Sequence, residues 1–186
     1  MKKKLIIFSL FFLFIIINKR GEAIPYNNSR PLLKGEISIG GGIYLDIDKN
    51  YGVITQFEYG WNKYVVPYFK TGYIESFYAA AGSKIIITSM FGGVDYLSII
   101  PAFHYYNGMG GEISVISGNL YKNFDFYVGF HFDLNYIDNQ LEYPVNFIIG
   151  FIFSPFGRGK GVLIEAGIPA TSYSSYQLGA MFKFNI

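Results

Sequence analysis

Residues 124–135, FDFYVGFHFDLN, constrain the fold of this chain more than any other stretch. Phe124, Phe126, Val128, Phe130, Phe132 and Leu134 alternate strictly with Asp125, Tyr127, Gly129, His131, Asp133 and Asn135. Successive side chains of a strand point to opposite faces, so this segment has one bulky apolar face and one small, polar, charged face. The design returns at the last segment. There Tyr176, Leu178, Ala180, Phe182, Phe184 and Ile186 alternate with Gln177, Gly179, Met181, Lys183 and Asn185.

Strand-like segments fill the rest of the chain, with no helix-period segment between them. The candidates are 35–46, 51–61, 64–75, 83–91, 94–106, 110–118, 124–135, 143–154, 161–168 and 175–186. Turn chemistry separates them: Asp48-Lys49-Asn50, Asn62-Lys63, Gly92-Gly93, Asn107-Gly108, Ser117-Gly118-Asn119 and Pro155-Phe156-Gly157. The fold class expected is all-β, an antiparallel up-and-down transmembrane barrel of ten strands. Eight is the rival number, if 83–91 and 110–118 are loop. Loops at 47–50, 76–82, 107–109, 136–142 and 169–174 would then lie at the outer end, all of them short. Short outer loops argue against an elaborate surface-binding role.

A soluble barrel shares the period of two, so the content of each face has to decide. The polar face carries Gly40, Gly42, Gly52, Gly60, Gly72, Gly129, Gly150, Gly167 and Gly179, which make room inside a narrow barrel. The bulky face carries Ile37, Ile39, Ile43, Leu45, Phe57, Phe69, Ile85, Ile87, Phe147, Ile149, Phe151 and Phe153. In water such a band aggregates; in lipid it is solvated. Tyr44, Tyr59, Tyr73, Tyr105, Tyr143 and Tyr176, near strand ends, are candidates for interfacial girdles.

The first residues support export. Lys2, Lys3 and Lys4 precede an apolar run from Leu5 to Ile17, and Gly21-Glu22-Ala23 offers small residues at a cleavage site. The expected organisation is a signal peptide over 1–23, a periplasmic lead-in over 24–34 and a barrel over 35–186. The chain has no cysteine, so neither disulfides nor lipoprotein processing is expected. Its formal charge of +2 belongs partly to the leader: removing Lys2, Lys3, Lys4, Lys19, Arg20 and Glu22 leaves 10 basic and 12 acidic residues, a net of −2. No basic patch remains for nucleic acid. Charged residues are 15% of the chain against 20% aromatic; soluble domains average about 25% charged.

With these features the chain resembles the small bacterial outer-membrane β-barrel proteins, the broad OmpA/OmpX-like group. The resemblance spans nearly all of 35–186 and is one of architecture. It implies a bacterial outer-membrane location, lipid as surroundings, and recognition of the C-terminal strand by the assembly machinery. Phe182 and Phe184 keep the aromatic alternation of that strand, and Ile186 stands where such strands end in an aromatic. No peptidoglycan-binding domain is expected after the barrel.

With the bulky face outward, the lumen receives Glu36, Glu58, Lys70, Glu112, His131, Asp133, Glu165 and Lys183. These residues are expected to form a paired network, because buried charge needs partners. Glu36 with Lys183 is the expected ion pair across the seam between first and last strands, and Gln56 should face Lys70. His104, flanked by Phe103, Tyr105 and Tyr106, is expected to be packed or interfacial. The function expected is a structural or narrow-pore barrel for small polar solutes, without catalytic residues, metal or cofactor. Two alternatives stay open: a lipid A- or peptide-modifying hydrolase using His131, Asp133 and Glu165, and an outer-surface interaction protein.

Overall fold

The structure, a computed structural model, describes residues 31–46, 51–88, 95–106, 108–120, 123–137, 140–155, 160–172 and 174–186. The expected signal peptide, residues 24–30 of the lead-in, and the turn residues 48–50, 92–93, 107 and 156–157 lie outside the described residues. Eleven strands follow in chain order: β1 (Ile37–Asp46), β2 (Tyr51–Tyr59), β3 (Val65–Ile74), β4 (Ser76–Thr88), β5 (Asp95–Tyr106), β6 (Met109–Leu120), β7 (Phe124–Ile137), β8 (Gln140–Glu142), β9 (Val145–Phe153), β10 (Lys160–Pro169) and β11 (Gln177–Asn185). There is no helix among the described residues.

Ten of these strands form a closed antiparallel barrel in the order β1 to β7, then β9, β10 and β11, with β11 returning to β1. The seam pairs β1 with β11 from Ser38↔Asn185 to Asp46↔Gln177. The three-residue β8 is an appendage that pairs only with the end of β7, through Ile137↔Gln140 to Asn135↔Glu142. Part of the expected loop at 136–142 is therefore a hairpin that prolongs the wall.

The two faces separate as the alternation requires. Large apolar side chains such as Ile43, Phe57, Phe69, Phe130, Phe153 and Phe182 are 45–62% exposed on the outside. Phe126 and Phe151 face each other across β7 and β9, as do Phe130 and Phe147, with ring centroids 5.1 and 5.4 Å apart. The inward positions are buried. Tyr44, Tyr78, Tyr127, Lys70 and Lys84 are the bulkiest of those sealed from solvent. Tyr44 is thus a lumen residue, not part of a girdle. Its parity with Asp46 and Ser38 outweighs the affinity of tyrosine for interfaces.

One expected loop is strand. Residues 76–82 belong to β4, which pairs with β3 from Ile74↔Ser76 to Val65↔Ile85. Glu75 alone makes the reversal, at φ 55°, a left-handed conformation uncommon for a residue with a Cβ. Ala79, Ala80, Ala81 and Gly82 do not alternate in size or polarity, so the period that marks a strand is silent there. Residues 83–88 of the segment 83–91 belong to β4 and 110–118 belong to β6, which makes the strand number ten and not eight.

Segments outside the strands dock at both ends of the barrel. At the end where β1 begins, Leu32 is buried in a cluster with Val66, Ile86 and Tyr96. Gly35 turns the lead-in at φ 83°, and its N–H donates to the Gly60 carbonyl at 2.7 Å. A Cβ at Gly60 would strike the Leu33 carbonyl, so glycine is what allows this close docking. At the opposite end, Ser174 Oγ donates to the Val145 carbonyl at 2.8 Å and accepts from the Val145 N–H at 2.7 Å. Ser175 Oγ donates to Asp46 Oδ2 at 2.6 Å. The segment after β10 is thereby tied to β9 on one side and to β1 on the other.

Candidate functional site

The polar side chains of the lumen gather into two centres and one bridge. The first centre is Glu58 on β2. Lys183 Nζ donates to its Oε2 at 2.6 Å, while Lys84 Nζ and Gln56 Nε2 donate to Oε1 at 3.3 and 2.7 Å. All four residues are buried. A carboxylate taken out of water is costly without partners, and here charged donors from β4 and β11 replace the lost hydration.

The second centre spans β3, β5, β6 and β7. Glu112 accepts from the Tyr68 hydroxyl at 3.0 Å, and Lys70 Nζ lies 3.6 Å from the same oxygen. Its other oxygen is 4.0 Å from His131 Nε2. Ser114 Oγ and His131 Nδ1, on directly opposed residues of β6 and β7, are 2.7 Å apart. Asp133 is the direct cross-strand partner of Glu112. It is bonded to His104 Nε2 at 2.7 Å and accepts from Asn135 Nδ2 at 2.9 Å. The bridge is Tyr127, whose hydroxyl donates to Glu165 Oε2 at 2.5 Å.

Three of these contacts use one device: a long side chain lies along the wall, passes a glycine on the neighbouring strand and reaches the strand beyond. Tyr127 on β7 passes Gly150 on β9 to Glu165 on β10. His104 on β5 passes Gly110 on β6 to Asp133 on β7, and Lys183 on β11 passes Gly40 on β1 to Glu58 on β2. A Cβ at Gly150 would collide with the Tyr127 ring, and one at Gly110 with the His104 imidazole. The absent side chain is what lets the bridging group lie flat.

Of the residues singled out from the sequence, Glu58, Lys70, Glu112, His131, Asp133, Glu165 and Lys183 are buried in the lumen. Glu36 is not. It lies before β1 in a turn at the barrel end, where its carboxylate accepts from the Leu33 N–H at 2.7 Å and from Asn185 Nδ2 at 2.5 Å. The expected Glu36–Lys183 pair is therefore replaced by Glu36–Asn185 and Glu58–Lys183. The long lysine crosses Gly40 to the second strand, while the shorter Asn185 meets Glu36 near the seam. Gln56 faces Lys70 as expected.

His131, Asp133 and Glu165 do not come together as one constellation. Glu165 is joined to Tyr127, four residues before His131 on β7, a separation of about 13 Å at ~3.3 Å per strand residue. His104 is a lumen residue bonded to Asp133 and stacked on Tyr78 at 6.3 Å between ring centroids, not an interfacial one. Lys84 and Ser114 are further lumen residues, and parity places them and His104 there: Ser114 shares the face of Glu112 two residues away. Lys84 lies between the outward Ser83–Ile85 positions, and His104 between outward Phe103 and Tyr105.

No family model matches the chain, and a search of curated proteins finds no match. Among solved structures, the chain is similar to one described as "De novo design of transmembrane beta-barrels", at 14% identity and a TM-score of 0.44. That similarity covers 84% of this chain and all of the other.

Proposed function

We propose that this chain is a small integral barrel of a bacterial outer membrane, exported by its signal peptide, with a structural role and a sealed lumen. The observation that carries this is the contrast between its two faces. Outward large apolar side chains are mostly 38–80% exposed, whereas inward ones from Tyr44 to Met181 and from Glu58 to Lys183 are at most 8% exposed. An apolar belt of this extent needs lipid as its solvent. Residues lining an open aqueous passage stay accessible to water, and these do not. The lumen of a ten-stranded barrel exceeds that of an eight-stranded one only modestly, and tyrosines and lysines take up the difference.

The same burial argues against the hydrolase alternative. Ser114, His131 and Glu112 approach the arrangement of a nucleophile, base and orienting carboxylate, but Ser114 is fully buried and His131 nearly so. A substrate bond has to come within hydrogen-bond reach of both groups, and among the described residues both are sealed from solvent. Reconstitution in planar bilayers tests the sealed barrel. The expected trace is silent over the voltage range in which porins conduct. Reproducible unitary steps from the folded protein would replace the scaffold with a narrow pore.

A further inference from the structure

Among the described side chains, four charged ones are exposed: Lys34, Lys63, Glu75 and Lys160. The three lysines stand at the end where β1 begins, and the carboxylate stands at the opposite end, in the reversal between β3 and β4. Aromatic side chains do not separate the two ends. Tyr59, Trp61 and Tyr64 are 46–64% exposed at the first, and Tyr51, Tyr73 and Tyr105 are 50–76% exposed at the second. What differs is the sign of the exposed charge beside the aromatic groups.

The basic end is built around the turn from β2 to β3. Asn62 Oδ1 accepts from the Tyr64 and Val65 N–H groups at 2.8 and 2.9 Å, and the Asn62 N–H donates to the Val65 carbonyl at 3.3 Å. The lead-in holds the turn from its other side. Gly60 N–H donates to the Glu36 carbonyl at 2.8 Å, and Gly35 N–H to the Gly60 carbonyl at 2.7 Å. Lys34 and Trp61 are the chain neighbours of these two bonded glycines. Lys63 Nζ lies 4.7 Å from the centroid of the Tyr64 ring. A turn pinned in this way loses little freedom on docking.

The outward apolar wall runs to Ile37 and Tyr59, directly paired on β1 and β2, and the turn carrying Trp61, Lys63 and Tyr64 comes next. A lipid leaflet presents its hydrocarbon, its interface and its phosphates in the same order. Lys160 opens β10, three strands from β2 across β11 and β1, or about 14 Å at ~4.8 Å per strand. Cations spread along such an arc face a surface of many anions and not one small anion. Glu36, the acidic side chain within the arc, accepts from the Leu33 N–H and Asn185 Nδ2, which leaves three lysines against one carboxylate.

We propose that this end of the barrel docks on the headgroups of anionic phospholipid, with Trp61 seated in the interface and Lys34 and Lys63 against the phosphates. The inference rests on the membrane-barrel reading above and adds the headgroup chemistry that one rim selects. The aromatic groups between the lysines and the apolar wall favour lipid over an acidic soluble protein, because they continue the surface that lipid surrounds.

Trp61 is the single tryptophan of the chain, so its fluorescence reports this turn. The test reconstitutes the folded barrel in vesicles whose acyl chains are brominated close to the headgroup, on either phosphatidylglycerol or phosphatidylcholine, and measures quenching. A lysine near an anionic surface favours it about fivefold. Phosphatidylglycerol should therefore bind beside Trp61 about fivefold more strongly than phosphatidylcholine. The double variant Lys34→Gln/Lys63→Gln should bring that ratio close to one; both lysines are exposed, so their replacement leaves the fold intact. Salt at about 1 M should remove most of the preference in the wild type, because exposed charges are then screened. Equal quenching by the two lipids, a preference that survives the double variant, or no quenching by either in an incorporated barrel would overturn the proposal. A barrel that does not float with the vesicles would instead overturn the membrane reading beneath it.

Discussion

Replacing Glu58 by Gln isolates what holds the inner polar centre together. Gln keeps the shape and one acceptor oxygen but removes the charge that faces both Lys183, at 2.6 Å, and Lys84, at 3.3 Å. The two lysines are not equivalent. Lys84, opposite Val66 and beside the cluster under Leu32, has 1% of its surface exposed, while Lys183 near the end of the last strand is 6% exposed. Lys183 can extend its ammonium toward the rim, as long basic side chains do near an interface; Lys84 has no such route. Breaking a buried pair by removing one partner costs about 3–5 kcal/mol, because the other charge is stranded. We assign that cost mainly to Lys84. It is a large fraction of the ~5–15 kcal/mol that holds a typical domain.

The remedy follows from the cause. Lys84→Met removes the ammonium that has lost the Glu58 charge and keeps an unbranched side chain of similar bulk. The double variant Glu58→Gln/Lys84→Met should therefore recover most of the loss, with a coupling of about 2–3 kcal/mol between the two sites. Urea unfolding in micelles, followed by the fluorescence of the single tryptophan, Trp61, measures each corner of the cycle. A Glu58→Gln loss below about 1 kcal/mol, or a double variant no more stable than the single one, refutes the assignment of stability to this centre.

Two further substitutions probe the faces of the wall. Phe130→Arg puts a charge on a residue 49% exposed in the outward belt; it should cost about 2–4 kcal/mol at mid-membrane and abolish heat-modifiable gel mobility, and wild-type assembly would reverse the assigned facing. Gly150→Ala drives a methyl group into the Tyr127 ring and should cost about 1–3 kcal/mol by overpacking. Gly41→Ala, at a position with nothing within 4 Å of the added carbon, should unfold at nearly the wild-type urea concentration.

The strand content of this chain is legible because a bulky apolar outside and a crowded polar lumen inside impose opposite demands on alternate residues. Segments that honour both demands, such as 124–135 and 177–185, declare their facing without help. Where the demands relax, the period fades: Ala79 to Gly82 satisfy the lumen by being small, and small residues read as loop. The membership of the lumen also follows from parity, and Lys84 and His104 could have been added to it on that basis alone. Partner choice could not be read in the same way. Lys183 bonds to Glu58 and not to Glu36 because a glycine at position 40 lets its chain lie across β1. Glu165 stands level with Tyr127 and not with His131 because the register pairs Glu165 with Gly150 and Gly150 with Tyr127, and Gly150 leaves the tyrosine room to reach it. A one-dimensional pattern marks those glycines as roomy without saying who will use the room.

The bridges over Gly40, Gly110 and Gly150 also explain why closure of the lumen and stability of its wall are one property. Each bridging side chain occupies interior space and, with the same atoms, ties together two strands that share no backbone hydrogen bonds. A barrel plugged by an inserted loop could lose the plug and keep its wall. Here the filling is distributed over Tyr127, His104, Lys183 and the tyrosines beside them, and the three bridging side chains are anchored at their far ends. Truncating one of them, for instance Tyr127→Ala, removes a tie and leaves the Glu165 carboxylate without its 2.5 Å donor. Desolvating a charged group whose hydrogen bond has been removed costs about 1–3 kcal/mol or more. A passage opened in this way is paid for in wall stability, so such variants should unfold at lower urea before they conduct.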